Sequence, residues 1–108
     1  MTKQNISTFG EYIRQLRVAA GLPLRKVAAQ LDIDPSLLGK IERNDRQPTK
    51  GQIKNLAKIF HQDEDFLLSE YLSDQIAYKI LEEEGDLNVL KAAEKKVNYL
   101  KRKNNGTT

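Results

Sequence analysis

With 108 residues, a net charge of +3 and no cysteine, the chain suits one domain, or a small domain with an appended element, around a modest core. The lack of cysteine excludes disulfides and thiolate metal sites and fits a reducing compartment. No apolar run approaches the roughly 20 residues that span a bilayer, and no basic start precedes an apolar run at the N-terminus, so a soluble, cytoplasmic protein with no membrane role is expected.

The small net charge names no partner, but its distribution is uneven. Residues 1–62 hold eleven Lys and Arg against five Asp and Glu (+6), residues 63–86 one base against nine acids (−8), and residues 87–108 six bases against one acid (+5). This pattern separates an N-terminal domain, 1–62, from a helical extension, 63–108. The acidic and basic parts of the extension are suited to pair, within or between chains.

Residues 1–6 have no pattern and read as a loose arm. Asn5-Ile6-Ser7 and Asn105-Gly106-Thr107 match the glycosylation triplet, which carries no weight without an export signal. From Phe9 the apolar residues Tyr12, Ile13, Leu16 and Ala20 follow at helical spacing, which predicts a first helix from Phe9 to Ala20. Thr8 and Glu11 have capping-box spacing before it, and Gly21 suits its end. A second helix, Leu24 to Leu31, follows Pro23 and turns Val27, Ala28 and Leu31 inward. Asp32 occupies the turn as one of the few residues besides glycine that visit the left-handed region, and Ile33 plugs the turn into the core.

Asp34 and Pro35 open a third helix as N-cap and first helical residue, with Leu38 and Ile41 inward and Asn44 at its end. Ser36, Leu37, Gly39, Lys40 and Arg43 are left on its outer face, where Leu37 is an exposed leucine unless something covers it. A polar connection leads to Thr49 and Gln52, a second capping-box pair, and a fourth helix with Ile53, Leu56, Ala57, Ile59 and Phe60 as its stripe. The four helices are expected to close a unit near His61. The lone His61 reads as a surface or loop-packing residue.

Asp63 to Asp65 begin a fifth helix whose stripe includes Leu68, Leu72, Ile76 and Ile80, broken at Gly85-Asp86. A last helix, Leu87 to Lys101, carries Leu90, Ala93, Val97 and Leu100 at alternating intervals of three and four, the spacing of a helix-pairing seam. The tail from Arg102 reads as polar and frayed. The acids Glu82, Glu83, Glu84 and Asp86 lack the spacing of a calcium loop, and no metal motif, phosphate loop or nucleophile constellation is present, so neither a cofactor nor an enzyme is expected.

The whole is an all-α chain, and Leu24 to Arg43 is its organising stretch: two short helices joined by a turn of fixed length, a helix-turn-helix. From Thr8 to Phe60, with Gly21, Ala28, Leu31, the run Lys40-Ile41-Glu42-Arg43, Arg46 and Pro48 in place, the chain resembles the bacterial and phage repressors of the lambda, 434 and Xre type. The resemblance implies a repressor-like bundle of four to five helices, here with an added C-terminal helical hairpin or dimerisation arm. It also implies a structural salt bridge between Arg17 and Glu42. Leu24 stands where the family usually has a phosphate-bonding glutamine, which makes Arg25 the candidate for that contact, and Asp32 stands where the family has glycine.

On this reading the third helix enters the major groove of double-stranded DNA, where base edges present distinguishable donors and acceptors. Ser36, Leu37, Gly39 and Lys40 are the candidate base contacts, and Arg25, Arg43, Asn44, Arg46, Gln47 and Lys50 the candidate phosphate contacts. Leu72, Ile76, Ile80, Leu90, Val97 and Leu100 are the candidate dimerisation residues. The expected function is a homodimeric transcription regulator on inverted-repeat operators, which blocks or recruits polymerase. Size and layout also resemble the controller proteins of restriction-modification systems. Two alternatives stand: an antitoxin whose C-terminal segment neutralises a toxin, and a structural bundle without a nucleic-acid role.

Overall fold

In a computed structural model the described residues, 6–106, form six helices and no strand. These are α1 (Phe9–Ala19), α2 (Leu24–Leu31), α3 (Pro35–Glu42), α4 (Lys50–Ile59), α5 (Glu64–Glu82) and α6 (Asn88–Gly106). Of the loose arm expected at 1–6, only the exposed Ile6 falls among the described residues, and Asn5 and Thr107 of the two glycosylation-like triplets fall outside them.

Local chemistry sets the helix starts. Both capping boxes form: the Glu11 N–H donates to Thr8 Oγ1 at 3.2 Å, and the Gln52 N–H to Thr49 Oγ1 at 3.0 Å. Asp34 caps α3 by accepting the Ser36 N–H at 3.0 Å, with Pro35 in the first turn.

The helix ends share one device. A residue with left-handed φ follows each of α1 to α5: Gly21 (70°), Asp32 (58°), Asn44 (65°), His61 (55°) and Glu84 (53°). Glycine fills only the first of these positions, and Asp and Asn are the next easiest occupants. The stop of α5, expected at Gly85, is made one residue earlier: Glu84 takes the left-handed turn, and the Gly85 N–H then closes on the Ile80 carbonyl at 2.8 Å.

The chain divides into two compact units, the first reaching Asp74 and the second starting at Gln75. In the first, the helices bury Ile13, Val27, Leu38, Ile41, Ile53 and Leu56 at its centre. This unit does not close near His61 as expected, because α5 supplies Leu67, which is fully buried in the same core. Two edge-to-face ring pairs fix the start of α5 on α1: Tyr12 with Phe66, centroids 6.0 Å apart, and Phe9 with Tyr71, 5.9 Å apart. Such pairs add about 0.5–1.5 kcal/mol beyond the area they bury.

The second unit comprises the end of α5 and α6, and every residue from 81 to 105 is exposed. Asp86 accepts the Asn88 N–H at 2.7 Å where α6 begins. The helix then runs to Gly106, past the frayed tail expected from Arg102. Lys and Arg are good helix formers, and their charge suits the negative end of the helix dipole.

Candidate nucleic-acid interface

Helix α3 is held by α1 before anything is held by α3. The first three N–H groups of α1, which have no partner within the helix, go to side chains from three places. Phe9 donates to Asp74 Oδ2 at 2.7 Å, Gly10 to Asn44 Oδ1 at 3.1 Å, and Glu11 to Thr8 Oγ1 at 3.2 Å. The Asn44 amide also donates to Thr8 Oγ1 at 2.7 Å. Asn44 therefore ties the end of α3 to the start of α1, a task that its left-handed backbone makes possible.

Gly10 lets the two helices meet. A Cβ at this position would lie 2.6 Å from the Glu42 carbonyl oxygen, 2.7 Å from Asn44 Oδ1, and against the Ile41 carbonyl oxygen. Two turns further along α1, the Arg17 guanidinium reaches Glu42. Its Nε donates to Oε2 at 2.7 Å and its Nη2 to Oε1 at 3.0 Å, while Nη1 donates to the Leu22 carbonyl at 3.0 Å. All three nitrogens are used, and the side chains keep only 13% and 5% of their exposure. Donation to the Glu42 carboxylate raises the already high Arg17 pKa, so the guanidinium stays charged. A fork-shaped pair of this kind fixes direction as well as distance.

Between α2 and α3 the chain turns on Asp32, and the Ile33 N–H closes on the Ala28 carbonyl at 3.0 Å. Val27, Ala28 and Leu31 of α2 are buried, as are Leu38 and Ile41 of α3. This packing decides which α3 side chains remain outside. Ser36, Lys40 and Arg43 are exposed. Leu37 is half-buried against the core, so it is less bare than its sequence position suggests.

Gly39 differs more from expectation: it is buried instead of outward. A Cβ there would stand 3.2 Å from Arg43 Nη1 and 3.7 Å from Leu24 Cδ2, so these two side chains cover it. Leu24, apolar where the resemblance expects glutamine, is half-buried beside this gap. Arg43 also approaches Asp45, Nε to Oδ2 at 3.4 Å, as an exposed pair worth little in energy.

Ser36 has two attachments to its cap, since its hydroxyl also donates to Asp34 Oδ1 at 3.1 Å. These bonds hold the Asp34 carboxyl below its usual range. The serine oxygen keeps lone pairs as an acceptor.

Of the candidate DNA contacts, Arg25, Lys40, Arg46 and Lys50 are exposed and form no ion pair among the described residues. Gln47 accepts the Tyr71 hydroxyl at 3.2 Å. The result is an exposed α3 edge of Ser36 and Lys40, with Leu37 half-buried between them and the Arg17–Glu42 and Asn44 bonds bracing the helix. No group of three or more His, Asp or Glu positioned for a metal occurs among the described residues.

Residues 8–67 match the helix-turn-helix domain family. The chain belongs to this family. No curated protein matches it. Among solved structures, the helix-turn-helix unit is similar to the restriction-modification controller protein C.AhdI from Aeromonas hydrophila. The identity is 32%, over 55% of this chain and 89% of that one, with a TM-score of 0.51. It is also similar to SinR, the master regulator for biofilm formation, in a complex with DNA, at 26% identity over 56% and 98% of the two chains and a TM-score of 0.51. A SinR–SinI complex shares the fold over 87% of this chain and 98% of that one, at 18% identity and a TM-score of 0.53. The chain thus has the all-helical fold of the repressor-type DNA-binding regulators.

Two residues of the brace had no place in the sequence reading: Gly10 and Asp74. Gly10 alone left a signal, since glycine inside a helix costs about 1 kcal/mol relative to alanine. Its presence there marks a close approach.

Proposed function

We propose that this protein is a sequence-specific transcription regulator that binds double-stranded DNA as a homodimer on inverted-repeat operators. The observation that carries the reading is the outward edge of α3, with Ser36 and Lys40 exposed on a helix fixed from behind by Arg17–Glu42 and Asn44. In the major groove Lys40 donates to a guanine O6 or N7, Ser36 accepts from or donates to a base or phosphate, and Leu37 offers its uncovered part to a thymine methyl. Gly39 serves by leaving room for Arg43. Arg25, Arg43, Arg46, Gln47 and Lys50 hold phosphates, which fixes register, while Asn44 contributes mainly through the brace. The DNA-reading role belongs to residues 1–62 and the assembly role to 63–108.

Dimerisation is supported by apolar surface that one chain leaves in water. Leu72, Ile76, Leu90, Val97 and Leu100 are each between 44% and 51% exposed, Ile80 is half-buried, and α6 buries no residue. Helices in proteins owe most of their stability to tertiary packing of an apolar face, and a second copy supplies that packing to α6. Two-fold symmetry then presents two α3 helices to half-sites about 34 Å apart. C.AhdI controls a restriction-modification system and SinR has been seen on DNA, and a controller of that kind, acting on polymerase in the cytoplasm, is the narrower form of this reading.

An antitoxin is the second reading, favoured by the same exposed surface if it covers a toxin instead of a second copy. Selection of bound duplexes from random DNA tests the proposal. The expected result is one enriched half-site repeated in inverted orientation at a fixed spacing. Enrichment of no sequence refutes base reading, and a stable complex with a second polypeptide in place of a homodimer moves the assignment to the antitoxin.

A further inference from the structure

The C-terminal helix has a second face. At about 100° per residue, Val89, Leu90, Ala93, Val97 and Leu100 form the apolar side of α6. Lys91, Lys95 and Arg102 lie diametrically opposite, at intervals of four and seven, with Tyr99 beside them. Lys96 and Lys101 flank the apolar side. All of these residues are exposed, and Lys91, Lys95 and Arg102 form no ion pair among the described residues, nor does Glu94, the one acid of the helix.

This separation assigns the charges to different partners. When a helix packs through an apolar stripe, the charges bordering the stripe meet the partner helix, so Lys96 and Lys101 are placed to meet the acids of residues 63–86 in a second copy. Lys91, Lys95 and Arg102 point away from any helix packed on that stripe. They line about 16 Å of the helix at 1.5 Å per residue, and DNA carries one charge per about 1.7 Å of its axis. The helix lies beyond the residues that match the family, 8–67.

We propose that the Lys91, Lys95 and Arg102 face of α6 is a second phosphate-binding surface, which grips duplex DNA flanking the operator that α3 reads. The inference rests on the DNA-binding reading above. Its partner is the sugar-phosphate backbone, held without base contacts, with Tyr99 as an additional hydroxyl donor.

The test uses the full chain and two duplexes that carry the selected operator, one trimmed to its edges and one extended on both sides. The variant K91Q/K95Q/R102Q keeps residues of good helix propensity. On the extended duplex, the slope of log affinity against log salt is expected to fall by about 5.4, since a homodimer loses three phosphate contacts at each end and each is worth about 0.9, with base preference unchanged. On the trimmed duplex the two proteins should match. Equal slopes on the extended duplex overturn the inference while leaving operator binding intact. So does a fall in mass by sedimentation, which gives the three cations to the contact between copies. Wild-type protein that binds neither duplex overturns the DNA-binding reading itself.

Discussion

Replacement of Arg17 by Met tests the brace behind α3. The Glu42 side chain is 5% exposed and both of its oxygens accept from the guanidinium, so R17M leaves a carboxylate buried without a cation and the Leu22 carbonyl without its Arg17 donor. Breaking a buried pair from one side costs about 3–5 kcal/mol, whereas an exposed pair is worth about 0–1 kcal/mol. In a domain of this size each kcal/mol moves Tm by about 4–8 °C, so a fall of about 12 °C or more is expected by circular dichroism. The double variant R17M/E42L should recover much of the loss, because it removes the stranded charge along with the pair. Loss of under about 1 kcal/mol in R17M, or a double variant equal to the sum of the singles, would refute the reasoning.

Gly10→Ala should destabilise by about 1–3 kcal/mol, the usual cost of overpacking, read from urea midpoints; an unchanged midpoint would mean that α1 and α3 separate freely. Lys40→Ala should cost about 1–3 kcal/mol on the selected operator and relax one base position, while Lys50→Ala should weaken all sequences alike and lower the salt slope by about one. If both leave duplex binding intact, the groove assignment fails. The pair Leu90→Asp and Val97→Asp should shift the sedimenting species to monomer, and an unchanged mass would remove α6 from the dimer contact. The depressed pKa of Asp34 predicts that its cap contributes fully above the ordinary Asp value of about 3.9 and is lost as pH falls through its lower folded value. The stability difference between wild type and Asp34→Ala should therefore be flat above about pH 5 and shrink on acidification; growth of that difference toward acid would contradict the cap.

The sequence by itself determined the helices and their starts. Capping is local, so Thr8 with Glu11, Thr49 with Gln52, and Asp34 with Pro35 could be read from spacing alone. The inward faces of α2 and α3 follow from helical periodicity for the same reason. Arg17 and Glu42 are 25 positions apart, so no local spacing joins them, and only the resemblance to the repressor family pairs them at the level of sequence.

Only the tertiary structure decided which outward residues of α3 stay outward. Gly39 and Leu37 share helical positions with Ser36 and Lys40, but Leu24 and Arg43 cover the one and the core draws in the other. It also decided that Asn44 spends its amide on α1 and that the first unit continues to Asp74. The acid that receives the Phe9 N–H stands 65 positions away, and no local pattern carries that information. Periodicity records which face of a helix is apolar; what covers the opposite face depends on chain that arrives from elsewhere.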